Sequence, residues 1–545
     1  KTFDPRRHED RRDITLTWKP VKGAQESDTW KTEGAVRGYL YSCYGYLPAN
    51  RTFGNSYWLA EELTAVTKEL FTTFKYGYYS PVSLGFTSNT WSTIWNGIHQ
   101  CYMFQESLKQ VSNEYVTDEM KKQYLAESNF LIAYYHFLSM RSYGPTMIIR
   151  SVIDLETPIS GFPERSSIDE VVAFINEKLD EAMSEGGLPT TWSGKDYGRA
   201  TRLAALALKS RVYLYAASPL YNGNTEMYAD FRSPLDGRQL IAQEKSQAKW
   251  EISATQTKYA IDEVEKAKFH LYHDADAGEP SDAKPGLPNK AQRRLRYTNI
   301  DNQTGNNPEI IWADTRNDDY YGIQRRCPPR QTLGGKFAGI SMTNCPTLQT
   351  IEAFYTKNGL PINKDKTFDY DERYEYISAP ENCDGNNYED LVKYANFTPS
   401  SDKVMRLCTD REPRFYAWTT YHNGYFEFGK YNNEEISADP AKRAIRIHLL
   451  RDDPHGRGNR TDQEYSISGF GNKKGVVPSA EWNVIEYPFP LFRLAELYLN
   501  YAEALVELDR LYEAKVYLDK VRERAGIPSV DVAWDKYSTN PDNQN

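Results

Sequence analysis

Apolar residues in the segment 491–528 recur with the period of an α-helix, in two successive runs. In the first run they fall at i, i+3, i+4, i+7, i+8, i+11 and i+14 counted from Leu494, which places one apolar stripe on one helix face. Asp509 and Arg510 interrupt the stripe. The second run repeats it and ends at Gly526, which favours a left-handed helix C-terminus. The pattern predicts a helical hairpin of the tetratricopeptide kind, which cannot bury its apolar face alone.

Partner helices for this hairpin are predicted upstream. Segments at 118–139 and 199–217 share its Ala-, Tyr- and Leu-rich pattern, so we interpret all three as copies of a degenerate internal repeat. We therefore expect a mainly α fold, a curved stack of helical hairpins. Further helices are predicted from apolar periodicity and capping signals at 29–47, 91–111, 167–184 and 246–271.

The long stretch before the final hairpin has a different character. Gly, Pro, Asn, Asp and Tyr dominate residues 272–490, and strand-like runs there are short. They lie at 309–314, 444–448 and 448–452. Because irregular segments carried by a rigid scaffold commonly supply binding residues, we expect this portion to face a ligand.

These patterns predict one domain over residues 1–545. Its helical scaffold comprises 29–271 and 491–528, and tetratricopeptide-like hairpins pack there against the loop-rich portion 272–490 with its short strands. The chain is longer than the roughly 250–300 residues at which a single core stops growing, so a large core with inserted loops is expected.

The net charge disfavours one class of partner, and the aromatic content indicates which residues could bind a ligand. The net charge of −9 disfavours a nucleic-acid partner, because such binding draws on an excess of Lys and Arg. Aromatic residues make up 14% of the chain, with 41 Tyr. We interpret most of these tyrosines as lining helix seams and consider those in loops for binding.

Cysteine spacing and hydropathy argue against a disulfide-based scaffold, a zinc site and a membrane-spanning helix. The six Cys form no CxxC pair and no zinc-binding spacing, so disulfides are not the scaffold, although one or two bridges are possible. No apolar run reaches the ~20 residues that a membrane-spanning helix needs. The chain begins at KTFDPRRHED, which we interpret as a processed or incompletely observed N-terminus.

Catalytic and metal-binding motifs are missing from the sequence. There is no GxSxG elbow, no phosphate-binding loop and no HExxH. His270 and His273 lie three residues apart beside acidic residues, and we interpret them as a solvated helix end. The segment 383–390 departs from a calcium loop in its Gly and Glu positions, so we interpret it as a plain loop. We predict no catalytic residue, no metal ligand and no cofactor.

Two aromatic loop segments, 76–91 and 312–326, are the candidates for binding a sugar. Sugar rings have apolar CH faces and polar edges, so flat aromatic side chains beside Asn, Asp and Arg suit them. Trp91 lies on a helical apolar stripe with Trp95, and we interpret it as a core residue. Trp312 follows Ile310 and Ile311 in a short strand, and we interpret it as partly packed. The predicted ligand-binding residues are Tyr78, Tyr79, Asn89, Tyr320, Tyr321 and Arg325.

An ordered set of segments resembles the SusD/RagB family over about residues 85–528. FRLAELYLNYAEAL followed by AKVYLDKVRERAGIP is similar to the C-terminal hairpin of that family. Each other segment alone is a loose match, but their order is specific. They are TWSTIWNGIHQCYMF, ESNFLIAYYHFLSMRSYGP, GRATRLAALALKSRVYLYAA, NNPEIIW, TLQTIEAFYTKNGLPI and DREPRF.

The resemblance implies four tetratricopeptide-like hairpins and a binding protein rather than an enzyme. It implies a lipid-anchored protein on the cell surface of a Bacteroidetes outer membrane, where it covers a TonB-dependent SusC-like transporter. The lipidated N-terminal cysteine of the family is not among residues 1–545, so the anchor is an expectation from the resemblance alone. Most members bind oligosaccharides and some bind peptides.

We expect from these points a protein that captures oligosaccharides and delivers them to the transporter. A RagB-like oligopeptide receptor is the alternative within binding proteins. A secreted glycoside hydrolase is the alternative among enzymes, because two carboxylates at the required separation cannot be recognised in a sequence with 75 acidic residues. A tetratricopeptide interaction scaffold, which would bind no small ligand, is the third.

Overall fold

The chain is mainly helical, as predicted. A computed structural model describes residues 30–48, 61–65, 77, 80, 87–154, 156–276, 290–301, 307–316, 322–329, 342–378, 403–427, 444–458, 465–477 and 486–540.

The scaffold is a stack of helices that follow each other in chain order. Each helix from α1 to α7 packs against the next one, which confirms the predicted stack of helical hairpins. α6 contacts α7 directly, although the loop-rich portion separates them in sequence. The scaffold helices are α1 (Glu33–Tyr44), α2 (Thr87–Leu108), α3 (Asp118–Tyr143), α4 (Ile168–Ala182), α5 (Arg202–Ala217), α6 (Gln247–Lys266), α7 (Leu494–Glu507), α8 (Leu511–Arg524) and α9 (Val530–Tyr537). None of the described helices is long and apolar enough to cross a membrane.

Local capping signals explain where these helices begin and end. Ser167 and Glu170 form the predicted capping box: the Glu170 backbone N–H donates to Ser167 Oγ at 3.3 Å, and the Ser167 backbone N–H donates to Glu170 Oε2 at 2.7 Å. Thr117 caps α3, and Gly144 ends it with a positive φ of 71°. Gly526, at φ 75°, stops α8 as predicted.

The final hairpin packs against α5 and α6. Asn500 of α7 is buried, and its Nδ2 atom donates to Ser210 Oγ of α5 at 3.1 Å. Tyr498 donates its hydroxyl proton to Glu265 of α6 at 2.5 Å. The apolar stripe of α7 therefore completes the core of the stack. Helix α9, which follows this hairpin, is absent from the sequence prediction.

The loop-rich portion carries short antiparallel strand pairs and its own smaller core. β1 (Ile310–Asp314) pairs with β2 (Phe489–Arg493), and both contribute apolar side chains to the scaffold core. The smaller core includes Ile351, Phe415 and Phe470. The other pairs are Leu63–Thr64 with Cys345–Pro346, Thr146–Met147 with Arg165–Ser166, Tyr376–Ser378 with Lys403–Met405, Thr419–Thr420 with Gly471–Asn472, and Tyr425–Glu427 with Ala444–Arg446. Short helices lie at Thr225–Tyr228, Lys290–Tyr297, Ile323–Arg326, Leu348–Ala353 and Pro413–Trp418.

The strand predictions were right at two places and wrong at one. The run 309–314 is β1, and Ala444–Arg446 forms a strand within the predicted 444–448. The predicted strand 448–452 is wrong. There the Leu450 backbone N–H donates to Asp453 Oδ2 at 2.9 Å, so the chain turns back instead of extending.

The buried carboxylate of Glu309 joins the loop-rich portion to the final hairpin. Arg493 Nη1 lies 2.6 Å from Oε1, and Arg524 at the end of α8 pairs with Oε2. The Tyr272 backbone N–H donates to Oε2 at 2.9 Å, and the Leu494 backbone N–H donates to the Glu309 carbonyl at 3.0 Å. One fully buried side chain thus holds the start of β1 against the start of α7 and the end of α8.

The segment 190–201, between α4 and α5, lies against β1. Trp312 Nε1 donates to the Gly198 carbonyl oxygen at 2.9 Å. Gly198 has φ +99°, and a Cβ atom there would lie 2.8 Å from Thr315 Cγ2. Only glycine fits this position without displacing Thr315, so the close contact fixes the path of the segment.

We predict that Glu309→Gln destabilises the fold by about 3 kcal/mol, because two arginines lose the carboxylate that compensates their charge. The free energy of unfolding in urea measures this. Glu106→Gln is the matched control, since Glu106 and Lys109 form an ion pair whose side chains are 55% and 67% exposed. Its effect should stay below about 0.5 kcal/mol. Equal effects of the two variants would contradict the role given to Glu309.

We predict opposite effects for Ala at two glycines. Gly198→Ala should lower the unfolding free energy by about 1–3 kcal/mol, because of its positive φ and the contact with Thr315. Gly38→Ala should raise it by about 0.5–1 kcal/mol, since Gly38 lies inside α1 and nothing lies within 4 Å of an added Cβ. Thermal melting of both variants measures the difference, and a neutral Gly198→Ala would refute the fixed path.

Candidate functional site

The six predicted ligand-binding residues are not tested by the described side chains. Asn89 lies in the first turn of α2, and Arg325 lies in the short helix Ile323–Arg326, but only their backbone is described. The other four, together with the loop 383–390, lie outside the described residues: Tyr78, Tyr79, Tyr320 and Tyr321. The assignment of all six to ligand binding stays a prediction.

Both tryptophans pack against neighbouring rings, Trp312 more completely than Trp91. Trp312 is 2% exposed, and its ring contacts those of Phe130, Tyr134 and Phe492 at centroid distances of 5.0, 5.3 and 5.9 Å. Trp91 is half-buried and contacts the rings of Trp95 and Tyr143.

The segment 190–201 separates two adjacent cavities of about 330 and 280 Å³. We call the pair the Tyr197 cleft, because Tyr197, Gly198 and Arg199 line both cavities. Each volume is near the lower end of the range for small-molecule sites, roughly 300–1,000 Å³. The larger cavity is lined mainly by Thr190, Thr191, Trp192, Ser193, Thr201, Lys268, Phe269, Asn307, Pro308 and Ile310, and the smaller one by Tyr41, Tyr44, Lys195, Thr315 and Arg316.

Tyr197 is the aromatic residue common to both cavities. Its side chain is half-buried, and burial raises the pKa of its hydroxyl to about 12. The hydroxyl therefore stays protonated at neutral pH, and it makes no hydrogen bond to any residue that the structure describes. Tyr197 thus combines an apolar ring with an uncommitted donor and acceptor.

Trp192 and Tyr41 add aromatic surface on either side of Tyr197. Trp192 is half-buried, its Nε1 atom donates to the Ala200 carbonyl at 2.9 Å, and the Arg199 guanidinium lies 4.1 Å from its ring centre. One face of this ring is therefore occupied. Tyr41 is 40% exposed, and Lys195 and Thr315 beside it are exposed polar residues.

A buried ion pair holds the Tyr197 segment in place. Glu127 is fully buried, Arg199 Nη2 lies 2.5 Å from its Oε1 atom, and Arg199 Nη1 lies 2.8 Å from Asp196. The Tyr44 hydroxyl donates to Glu127 Oε2 at 2.6 Å and accepts from the Ala200 backbone N–H at 2.9 Å. Burial raises the pKa of the Glu127 carboxyl, while Arg199 and Tyr44 oppose that shift. The network ties residues 196–200 of the segment to Tyr44 of α1 and to Glu127 of α3.

Arg316 lines the smaller cavity and joins two elements of its wall. Its Nη1 atom donates to the Leu47 carbonyl at 2.9 Å, and its Nη2 atom donates to the Pro48 carbonyl at 3.0 Å. Asp314 lies 2.7 Å from the same guanidinium. The end of α1 is therefore fixed to the end of β1, and both cavities have walls set by hydrogen bonds.

The cleft offers groups that suit the binding of a polar ligand. Its aromatic rings, hydroxyls and amide can meet the faces and edges of a polar ring, and its buried charges are already paired.

No group of His, Cys, Asp or Glu that could hold a metal occurs in the described residues. The described cysteines, Cys43, Cys101, Cys327, Cys345 and Cys408, are buried and free. His270 lies in the irregular segment after the end of α6 at Lys266 rather than at the predicted helix end, and its Nε2 atom is 3.3 Å from Asp276.

Sequence reasoning missed the residues of this cleft. The segment 190–201 reads TTWSGKDYGRAT, which combines aromatic residues with turn formers in the same way as the two segments chosen. That compositional signal was present, but it does not reveal that Tyr41 lies on the opposite side of Tyr197.

Comparisons with known proteins agree with this fold. The model described as "SusD family" matches residues 308–545, and the model described as "Starch-binding associating with outer membrane" matches residues 60–214. No curated protein matches the chain significantly in sequence.

Solved structures resemble the chain over most of its length. The protein BT4246 is 28% identical with a TM-score of 0.75, covering 91% of this chain and 83% of its own. The SusD-like protein BF3747 from Bacteroides fragilis NCTC 9343 is 20% identical with a TM-score of 0.64, covering 93% and 81%. The SusD-like carbohydrate binding protein BF0978 from the same strain is 17% identical with a TM-score of 0.57, covering 92% and 80%.

The two family models match the N-terminal scaffold and the C-terminal half of the chain, and the helical stack is that of SusD-like structures. The chain therefore belongs to the SusD/RagB family.

Proposed function

We infer that the protein is a surface glycan-binding protein that captures oligosaccharides and passes them to a TonB-dependent SusC-like transporter. The observation that carries this proposal is the Tyr197 cleft, in which aromatic side chains lie beside hydroxyl groups and a buried ion pair holds the wall. The Tyr197 hydroxyl has no hydrogen-bond partner in the described part of the chain. The description of the N-terminal family model, starch binding in association with the outer membrane, supports the same ligand class and location. A lipid anchor and surface exposure follow from the family resemblance and are part of the proposal.

The chemistry of the cleft favours a neutral sugar over a peptide. A pyranose ring presents CH groups to one side, which can lie against the Tyr197 ring, and its hydroxyls can exchange hydrogen bonds with the Tyr197 hydroxyl and with Thr190 and Ser193. A peptide ligand would favour pairing with a free strand edge or with an exposed charge. The exposed charged residues that line the cleft among the described residues are Lys195 and Lys268, and neither belongs to a strand edge.

We propose a binding role without catalysis. Hydrolysis of a glycosidic bond needs two carboxyl groups roughly 5–9.5 Å apart across the scissile bond. Asp314 is the one carboxylate among the described residues that line the cleft, and it is buried and paired with Arg316. Incubation with polysaccharides and measurement of new reducing ends tests this point, and enzyme-like release of sugars would refute the binding role.

Isothermal titration against a panel of neutral oligosaccharides and mixed oligopeptides tests the ligand class. We expect saturable heat from at least one oligosaccharide and none from peptides. Binding of peptides alone would overturn the glycan proposal and favour the oligopeptide alternative. Co-purification with an outer-membrane barrel from the native host tests the transporter partner separately.

We predict that Tyr197→Ala weakens oligosaccharide binding at least tenfold, about 1.4 kcal/mol, because the common wall of both cavities loses its ring and hydroxyl. Titration with the best ligand of the panel measures the change. Tyr512→Ala is the matched control: Tyr512 lies on α8, is 84% exposed and lines neither cavity. Unchanged affinity in Tyr197→Ala would place the ligand elsewhere.

A further inference from the structure

A cluster of basic side chains surrounds Trp418, outside the Tyr197 cleft. Arg414 and Trp418 are one turn apart on the short helix Pro413–Trp418, so they lie on the same helix face. Lys474 reaches this face from the turn after the strand Gly471–Asn472, and its Nζ atom lies 4.6 Å from the Trp418 ring centre. We call Lys474, Arg414 and Trp418 the Lys474 cluster. None of the three lines the Tyr197 cleft.

The backbone around the Lys474 cluster is well anchored. The Lys473 backbone N–H donates to the Trp418 carbonyl at 2.8 Å, and the Lys474 backbone N–H donates to Asn472 Oδ1 at 3.1 Å. Trp418 Nε1 donates to the Leu295 carbonyl at 3.3 Å. The ammonium and the aromatic ring are therefore held in a defined arrangement before any ligand arrives.

Lys474 has no compensating carboxylate within the ranges that the structure describes. Its ammonium contacts the Trp418 ring and forms no ion pair there. The neighbouring Arg493 and Arg524 share the single carboxylate of Glu309. Cations around this cluster therefore outnumber the carboxylates bonded to them.

The surrounding positive charges contribute to a lowered pKa of the Lys474 ammonium. Burial, and then the positive charges of Arg493, Arg414 and Arg524, lower the pKa of its ammonium to about 8, and Glu62 opposes them. Lys474 is half-buried, and a partly desolvated cation among other cations is destabilised in the free protein. An anion bound beside it would relieve this cost.

Arg414 supplies a second donor group to the same place. Its Nε atom donates to the buried Glu412 carboxylate at 2.5 Å, which fixes the guanidinium. Its terminal nitrogens make no hydrogen bond to the described residues, and its side chain is 29% exposed. These nitrogens can accept a planar carboxylate in the paired geometry that guanidinium groups favour.

We propose that the Lys474 cluster binds the carboxylate of an acidic sugar, so that the protein recognises glycans containing uronic acid units. Lys474 and Arg414 contact the carboxylate, and Trp418 packs against the apolar part of the same sugar ring. This inference rests on the proposed glycan binding and specifies the substrate class. A carboxylate on a sugar fits better than an isolated anion, because the cations stand directly beside an aromatic side chain.

The test compares an oligosaccharide of uronic acids with the same oligosaccharide after reduction of its carboxyl groups to hydroxymethyl groups. The two ligands differ only in this group, a carboxylate in one and a hydroxymethyl group in the other, so isothermal titration isolates the contribution of the carboxylate. We expect the acidic form to bind the full chain at least tenfold more tightly. Equal affinity for both forms would overturn the inference.

Variants at Lys474 connect the preference to this cluster. Lys474→Met should abolish the preference for the acidic ligand, whereas Lys474→Arg should retain it. Lys266→Met is the control for net charge: Lys266 lies at the end of α6 with its side chain 80% exposed, and its loss should leave the preference unchanged. Thermal melting confirms that each variant is folded. An undiminished preference in folded Lys474→Met would refute the assignment.

The pH dependence gives an independent signature. Since an ammonium with a pKa of about 8 is mostly protonated at pH 7 and mostly neutral at pH 9, affinity for the acidic ligand should fall roughly tenfold over that interval. Lys474→Arg should remove this fall, because arginine stays charged. A fall of the same size in Lys474→Arg would refute the role of Lys474.

The outcomes separate this inference from the proposed function. Binding of neutral oligosaccharides that is sensitive to Tyr197→Ala, without any preference for the acidic form, overturns the inference alone. The absence of binding to every saccharide, acidic or reduced, overturns both.

Discussion

The contact between Glu309 and the two arginines Arg493 and Arg524 is the interaction on which the architecture depends. A fully buried carboxylate is costly in itself and is tolerated only when charges and hydrogen bonds compensate it. Here the compensating groups come from β2 and from the end of α8. Because the partners are far apart in sequence, the charge can be compensated only when the final hairpin has docked. The ion pair therefore couples completion of the helical stack to the position of β1.

The position of β1 in turn determines the walls of the Tyr197 cleft. Trp312 in the middle of the strand donates to the Gly198 carbonyl, and Arg316 just beyond its end donates to the Leu47 carbonyl. The strand therefore holds the segment before α5 on one side and the end of α1 on the other. Neither of these two contacts uses the Tyr197 hydroxyl. Tyr197 therefore remains available to a ligand while hydrogen bonds hold the residues around it, which lowers the entropic cost of binding.

Local signals in the sequence predicted the scaffold well, because a helix is specified by periodicity and caps within a few turns. The capping box of Ser167 and Glu170 is an example. The prediction failed where a turn residue outweighs β propensity, as at 448–452, and at the eight-residue helix Val530–Tyr537, which is too short for a clear period. The cleft could not be predicted, because it depends on contacts such as the one from Trp312 to a carbonyl 114 residues away.

Hydrogen bonding distinguishes structural tyrosines from candidate ligand-binding ones in a chain with 41 of them. Tyr44, Tyr124 and Tyr498 donate to Glu127, Glu33 and Glu265, so their hydroxyls join neighbouring helices. These three tyrosines line helix seams, as we expect from the sequence for most of the others. A ligand could use such a hydroxyl only by leaving a carboxylate with one donor fewer, which costs about 1–3 kcal/mol. Tyr197 carries no such cost, because its hydroxyl has no partner in the described part of the chain. The absence of a carboxylate partner, rather than the aromatic ring alone, is therefore what makes a tyrosine of this chain a candidate for sugar binding.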